Sequence, residues 1–521
     1  MAAQTSKQGS GADLTAPASM AAVRVLIFHG YLLRGTGSNV YNLSLVRALA
    51  ALGHEVCLLC QERAHAQLDL PAGVTVVNPE IGRTLPVYVA DSYEGFEAVR
   101  FADFDDAALG RYLDANVAAV RAAVEDFRPD VALANHAVMG PAILARGLGG
   151  HAPYAVKIHG SALEYTVRPQ PERFLPYMLE GLRGASGVLV GSRHTAESLW
   201  AVAGDPELPA KTRLGPPGVD VAEFRPRPAE EAAAGLRALA DRLDGAASGG
   251  WGGEAGAADA LRAFDPREQR IVGYVGKLIV SKGVDLLLAA WPLVSARVPD
   301  ARLLIVGFGA YRDALGQLVA ALRRADLEAL REIAVRGRAL EGGPAAPLAY
   351  LTAFLDDLDG AARDAYLAAA PAAAERVRFS GSLEHGDLPL VLPSFSAQVV
   401  PSTFPEAFGM VAAEAACCGA LPLSADHSGL AEVSSALAGA LPPRQRPLLS
   451  FDRGPRAVDQ IAERLIRWLE LPAGERAAAA AALSEAARGR FGWERVAEGV
   501  VAAAEGRLDV LPTVPSGVSS G

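Results

Sequence analysis

Pro401-Ser-Thr-Phe-Pro-Glu406-Ala-Phe-Gly-Met-Val-Ala-Ala-Glu414 decides how this chain is read. The apolar Gln398–Val400 before it predicts a buried strand, and Val411–Cys418 predicts a helix. The first amides of that helix, from about Phe408 to Val411, lack intrahelical acceptors. They turn partial positive charge towards the strand's carboxyl edge, where anions bind. Gly409 lets a phosphate come close, while Met410 and Val411 line the same turn. Eight residues at about 1.5 Å rise set Glu406 and Glu414 roughly 12 Å apart along a helix axis. That separation suits two carboxylates gripping hydroxyls at opposite ends of a sugar diphosphate. Two solvated surface glutamates would fit the spacing equally well, but the Ala and Val neighbours of Glu414 count against that.

Upstream, Ile271–Val275 and Arg302–Val306 read as strands, as do Val377–Phe379 and Leu421–Leu423 further on. Gly276-Lys277-Leu-Ile-Val-Ser-Lys282-Gly283 follows the first of these and opens the helix Gly283–Val298. Only five of the 49 basic residues are lysine, and two of the five stand here. Paired cations at a strand's carboxyl end suit a diphosphate whose charge must be balanced as it leaves.

The first half shows the same alternation of strand and helix. Val23–Phe28, Glu55–Leu59, Val74–Val77, Val131–Ala134, Ala155–Ile158 and Val188–Val190 are its strands. Gly35-x-Gly37 after the first strand matches part of a dinucleotide fingerprint, with Glu62 downstream, but Val40 stands at the third glycine position. Lys157-Ile-His159-Gly160-Ser161 closes another strand, where a histidine can face a cleft or serve as a structural core residue. The βαβ rhythm in both halves argues two parallel, doubly wound sheets.

The expected division of the 521 residues is a disordered tail at 1–20, a first domain at 21–224 and a linker at 225–268. A second domain at 269–508 and a tail at 509–521 complete it. Ser248-Gly-Gly-Trp-Gly-Gly253 marks the linker as loop. Residues 310–376 are too long for an ordinary connection and look helical. Their Leu348, Leu351, Leu355 and Leu358 form an apolar stripe, either packed on its own domain or offered as a seam for a homo-oligomer or an acceptor.

A net charge of −10 without a basic stripe excludes an ordinary nucleic-acid binder. No apolar run reaches membrane-spanning length, and no secretory leader is read. Four cysteines are too few for a disulfide scaffold and suit the cytoplasm. Cys57-x-x-Cys60 lacks a second pair, and Asp103-Phe-Asp105 lacks a strand context, so no metal site is expected.

Together these motifs resemble the retaining glycosyltransferases of family 4, with their Glu-x7-Glu signature and GT-B fold. Pro217-Gly-Val-Asp220 with Phe224 resembles the family's closure of its first domain, and Trp493 onward its helix returning to that domain. The resemblance implies an α/β protein, two Rossmann-like doubly wound domains facing a cleft. It implies a UDP-, GDP- or ADP-sugar donor in the second domain. The acceptor, a sugar, a lipid-linked molecule or a small molecule, would sit mainly against the first. It assigns Lys277 and Lys282 to the diphosphate, Glu406 to the donor sugar and Glu414 to the ribose. His385 would neighbour the base, and Gly35, Gly37, Phe408, Gly409, Met410 and Val411 would line the donor site. His159, Glu406 and Lys282 would stand at the reacting centre. It further implies retention by same-face attack, no cofactor and no metal, and a cytoplasmic enzyme with or without a peripheral place at the inner membrane face. Two rivals are an NAD(P)-dependent oxidoreductase, from Gly35-x-Gly37 and Glu62, and a non-catalytic nucleotide-sugar binding protein.

Overall fold

The computed structural model describes residues 22–33, 37–88, 95–245 and 256–515. The expected tail 1–20, Gly35 and the glycine run 248–253 lie outside them.

Seven parallel strands form the first sheet. They are β1 (Arg24–Phe28), β2 (Glu55–Leu59), β3 (Val74–Val77), β6 (Val131–Asn135), β7 (Tyr154–Ile158), β8 (Gly187–Val190) and β9 (Thr212–Leu214), in spatial order 3-2-1-6-7-8-9. β4 (Thr84–Val87) and β5 (Glu97–Arg100) pair separately. The second sheet is also parallel. It contains β10 (Arg270–Val275), β11 (Ala301–Val306), β12 (Val377–Gly381), β13 (Phe395–Val400), β14 (Leu421–Ala425) and β15 (Ser450–Phe451), in order 12-11-10-13-14-15. These strands are almost wholly buried, which explains why they read as apolar runs rather than as alternating patterns.

Each sheet winds outward from its first strand, then returns to build on the other side. The reversal falls between β1 and β6 in the first sheet and between β10 and β13 in the second. At such a switch point neighbouring loops diverge and leave a crevice beyond the carboxyl ends of the strands, where ligands bind. The two crevices face one another.

Two expectations are corrected, and the leucine stripe is decided in favour of packing on its own domain. Among the described residues of 225–268, much of the chain is helix rather than loop. Ala229–Gly245 and Ala257–Arg262 are helices, and Leu236, Leu239 and Leu261 enter the second domain's core. Leu348, Leu351 and Leu355 are buried in that same core, with Leu358 packed against it, so the stripe offers no subunit seam. The tail after 509 is partly docked: the Leu214 amide donates to Pro512 O at 2.9 Å, beside the bridge from Arg213 to Thr513. Residues 516–521 lie outside the described part.

The chain passes between domains twice at one place. The Val219 amide donates to Phe491 O at 2.6 Å, and a Cβ on Gly218 would strike the Trp493 ring. The helix Trp493–Ala504 then buries Ala497, Val500 and Val501 against the first sheet, beside the helix Gly37–Ala51. Among the described residues no helix is long and apolar enough to cross a membrane.

Candidate active site

A cavity of about 740 Å³ lies between the two switch points. Gly37, His159, Lys277, Lys282, Glu406 and Glu414 all line it, as do His385 and the turn from Phe408 to Val411.

On the second-domain side, backbone crowding shapes the floor. Gly276 and Gly307, after β10 and β11, hold φ of +156° and +151°, and a Cβ on Gly307 would overlap Gly276 O. Gly283, at φ +66°, lets the turn Val280–Lys282 lie on Pro401. The Thr403 amide donates to Ser281 O at 2.9 Å, and Glu341 Oε2 accepts the Val280 amide at 2.7 Å. The lysine loop is therefore clamped by the end of β13 and by the helical segment 310–376. Lys277 is exposed at the rim, whereas the Lys282 side chain is 29% exposed and its ammonium pairs with Glu406 Oε1. The same oxygen accepts the Ser402 hydroxyl at 2.5 Å. Glu406 lies in the loop before the helix, so an axial spacing along a helix does not describe its distance from Glu414.

The helix is Met410–Cys417, capped by Gly409 at φ +121°. Glu414 is 1% exposed. Its Oε1 accepts from His385 Nε2 at 2.8 Å, while Oε2 has no protein partner. This hydrogen bond raises the pKa of His385 above its ordinary value, against the effect of burial. A buried carboxylate oxygen without a partner is uncommon and points to a ligand hydroxyl.

On the first-domain side, His159 follows β7. Its Nε2 lies 2.8 Å from Asn135 Oδ1. Asn135 Nδ2 donates to Asn42 Oδ1 at 2.9 Å and Phe28 O at 3.3 Å, so Oδ1 is the accepting end. His159 therefore donates from Nε2, leaving Nδ1 as an acceptor. Burial, reinforced by His136, Lys157 and His29, holds its pKa well below the ordinary histidine value. It is a neutral imidazole. Lys157 is buried, with its ammonium turned onto Gly215 O, and burial lowers its pKa to about 7.

Glu62 does not face the cleft. Its carboxylate accepts the amides of Leu33 at 3.3 Å and Ala64 at 3.2 Å. Asp105 caps the helix Asp106–Phe127, and Cys57 and Cys60 are buried free thiols.

Sequence reasoning missed His136 and Asn135. The signal was their place: they close β6, one of the two strands flanking the switch point. It also missed Glu432, whose carboxylate crosses the cleft to accept the Arg193 amide.

Residues 36–218 match the family described as "Glycosyl transferase 4-like domain". Residues 269–342 and 359–490 match families described as "Glycosyl transferases group 1". A stretch of 99 residues is 35% identical to the D-inositol 3-phosphate glycosyltransferase of Segniliparus rotundus, spanning 19% of this chain and 16% of that protein. HepE of Anabaena, crystallised with UDP and glucose, superimposes with a TM-score of 0.54 at 16% identity, over 94% of this chain and 100% of that one. Sucrose-phosphate synthase from Thermosynechococcus elongatus superimposes at 0.50 with 19% identity, over 94% and 99%. At these identities the likeness shows the fold, which is GT-B.

Proposed function

We propose, from these glycosyltransferase-type domains and the cleft between them, that the chain moves a glycosyl group from a nucleotide-diphosphate sugar to an acceptor hydroxyl. The anomeric configuration would be retained, without metal or cofactor. The observation that carries this reading is the grouping on one cavity wall of Lys282, the start of the helix Met410–Cys417 and the half-committed carboxylate of Glu414. The crystallisation of HepE with UDP and glucose supports the same donor class.

In this reading the acceptor oxygen attacks the anomeric carbon as the bond from that carbon to the phosphate oxygen breaks. The electron pair leaves with the diphosphate, which takes the acceptor's proton on the same face. Charge grows on the diphosphate in the transition state, and a preorganised cation and helix amides stabilise it more there than in the ground state. Lys277 and Lys282 supply the cations. Glu406, through its pair with Lys282, positions the ammonium and meets the sugar. His159, neutral and accepting at Nδ1, takes a hydrogen bond from a sugar hydroxyl rather than offering charge. A covalent route would require a free carboxylate at the anomeric carbon, and Glu406 is committed to Lys282 and Ser402. The four buried free thiols fit a reducing cytoplasm. The oxidoreductase reading loses its ribose ligand, because Glu62 braces a loop.

The test is a thermal-shift screen over UDP-, GDP- and ADP-sugars, then NMR of the product anomer. A donor that binds the native state raises its melting temperature. No shift with any of them, or an inverted product, overturns the reading.

A further inference from the structure

His136 follows β6 at φ +72°, a left-handed backbone that few side-chain-bearing residues adopt. Its amide donates to Lys157 O at 2.8 Å, which ties it to the neighbouring strand. The ring is 2% exposed and lines the cavity. It packs on Tyr88 and His159, each at 4.8 Å between centroids, and on Tyr31 at 5.5 Å.

Three histidines meet here, and two are committed. His29 is engaged at both nitrogens, with Asn39 and Leu32 O on one side and Asn42 on the other, each at 3.0 Å. His159 is engaged with Asn135. Neither nitrogen of His136 has a protein partner. Burial and the nearby His29 keep its pKa well below the ordinary value, so the ring offers one N–H, one lone pair and no charge. A buried polar group left unmatched is costly to the fold, and strained, unsatisfied residues cluster at ligand sites.

The surrounding wall is also uncharged. Tyr31 donates its hydroxyl to Pro86 O at 2.9 Å and Tyr88 to Val138 O, so each presents its ring rather than its oxygen. Among the described residues, those lining this half of the cavity include no carboxylate. Their one cation, Lys157, is turned onto Gly215 O. A hydroxyl both donates and accepts, and so can use either nitrogen of a neutral imidazole. A phosphate only accepts and would find no counter-charge among the described residues of this half. Aromatic faces suit the C–H face of a sugar ring.

We propose that His136 is the hydroxyl-recognising group of an acceptor subsite, and that the acceptor is an uncharged polyhydroxy compound rather than a phosphorylated one. This rests on the glycosyltransferase reading above, which places the acceptor against the first domain.

The experiment uses the full chain, labelled with ¹⁵N-histidine and saturated with whichever of UDP, GDP or ADP binds. The probes are glucose, mannose and myo-inositol and their monophosphates. The expected result is that at least one neutral probe shifts the His136 imidazole signals and binds at least tenfold more tightly than its monophosphate. His136→Phe keeps a ring and removes both nitrogens. It should weaken that binding about fivefold or more, with nucleotide affinity unchanged and the melting temperature no lower. The proposal is overturned if no neutral probe moves the His136 signals, if a monophosphate binds as well or better, or if His136→Phe binds normally. The monophosphate arm also covers Arg34, which lies outside the described residues. Failure of all three nucleotides to bind would be seen before any sugar is added, and would count against the glycosyltransferase reading itself.

Discussion

Replacing Glu414 with glutamine separates a ligand-binding glutamate from a structural one, because the two roles move affinity and stability in opposite directions. Oε1 is held by His385 at 2.8 Å and Oε2 faces no protein group, although the residue is 1% exposed. If Oε2 receives a ribose hydroxyl, Glu414→Gln keeps the shape but loses a hydrogen bond to a charged acceptor, worth about 1.5–3 kcal/mol. That is a donor Kd raised roughly 10- to 150-fold. The unliganded protein should not suffer. The side chain of His385 is 46% exposed and can turn to water, and the variant no longer buries a carboxylate oxygen without a partner. At alkaline pH, above the raised His385 value, its melting temperature should therefore stay level or rise. The histidine gives a second readout. Its pKa is raised by Glu414, so the pair's stabilisation is complete below the ordinary value of 6.5 and fades as pH rises through the raised value. Glu414→Gln should shift the His385 titration downward by NMR and erode stability only on the acid side. Isothermal calorimetry with the cognate donor, alongside melts at acid and alkaline pH, makes the test. Donor affinity within twofold of wild type together with a lower melting temperature at alkaline pH would refute the reasoning.

Lys282→Ala should lower kcat/KM by on the order of 10²–10³-fold, as for one preorganised electrostatic contact, while Lys282→Arg recovers only part because a planar guanidinium cannot sit as a compact ammonium does against Glu406. Steady-state kinetics with circular dichroism as the folding control checks this. His159→Ala should reduce kcat more than it raises the donor Kd, as expected of a contact strengthened at the reacting centre; equal turnover would make it structural. Leu351→Glu should unfold the second domain rather than dissociate an oligomer, since an unpaired charge replaces a side chain 1% exposed in the core. A cooperative melt at the wild-type temperature would contradict the buried placement.

Much of this was legible in the sequence because buried parallel strands advertise themselves as short apolar runs, and the loop after β10 carries two of the chain's five lysines. What stayed hidden was set by tertiary context. Pro86 argues against a strand, yet among the described residues β4 has only β5 as a neighbour and tolerates it. The Ala-rich 225–268 reads as loop by composition, although Leu236, Leu239 and Ala240 stand at helical spacing. Periodicity marked an apolar face on the leucine stripe without saying what covers it. His136 carries no motif at all. Only the strand order, which no local pattern encodes, brings it beside His159.

The helix Trp493–Ala504 belongs to the core of the first sheet but is the last long element to be made. Some 270 residues separate it from Phe224, and at about 5–20 residues per second the ribosome needs roughly 15–55 s to cover them. Through that interval the first domain waits with one face of β6, β7 and β8 lacking its cover, while the second domain emerges and can complete itself. Translation order and folding order are thus inverted between the halves. The newborn first domain is the part exposed to holdase chaperones. Premature termination just after Phe491, once the last core helices of the second domain are made, would release a chain whose second half is sound and whose first half is open.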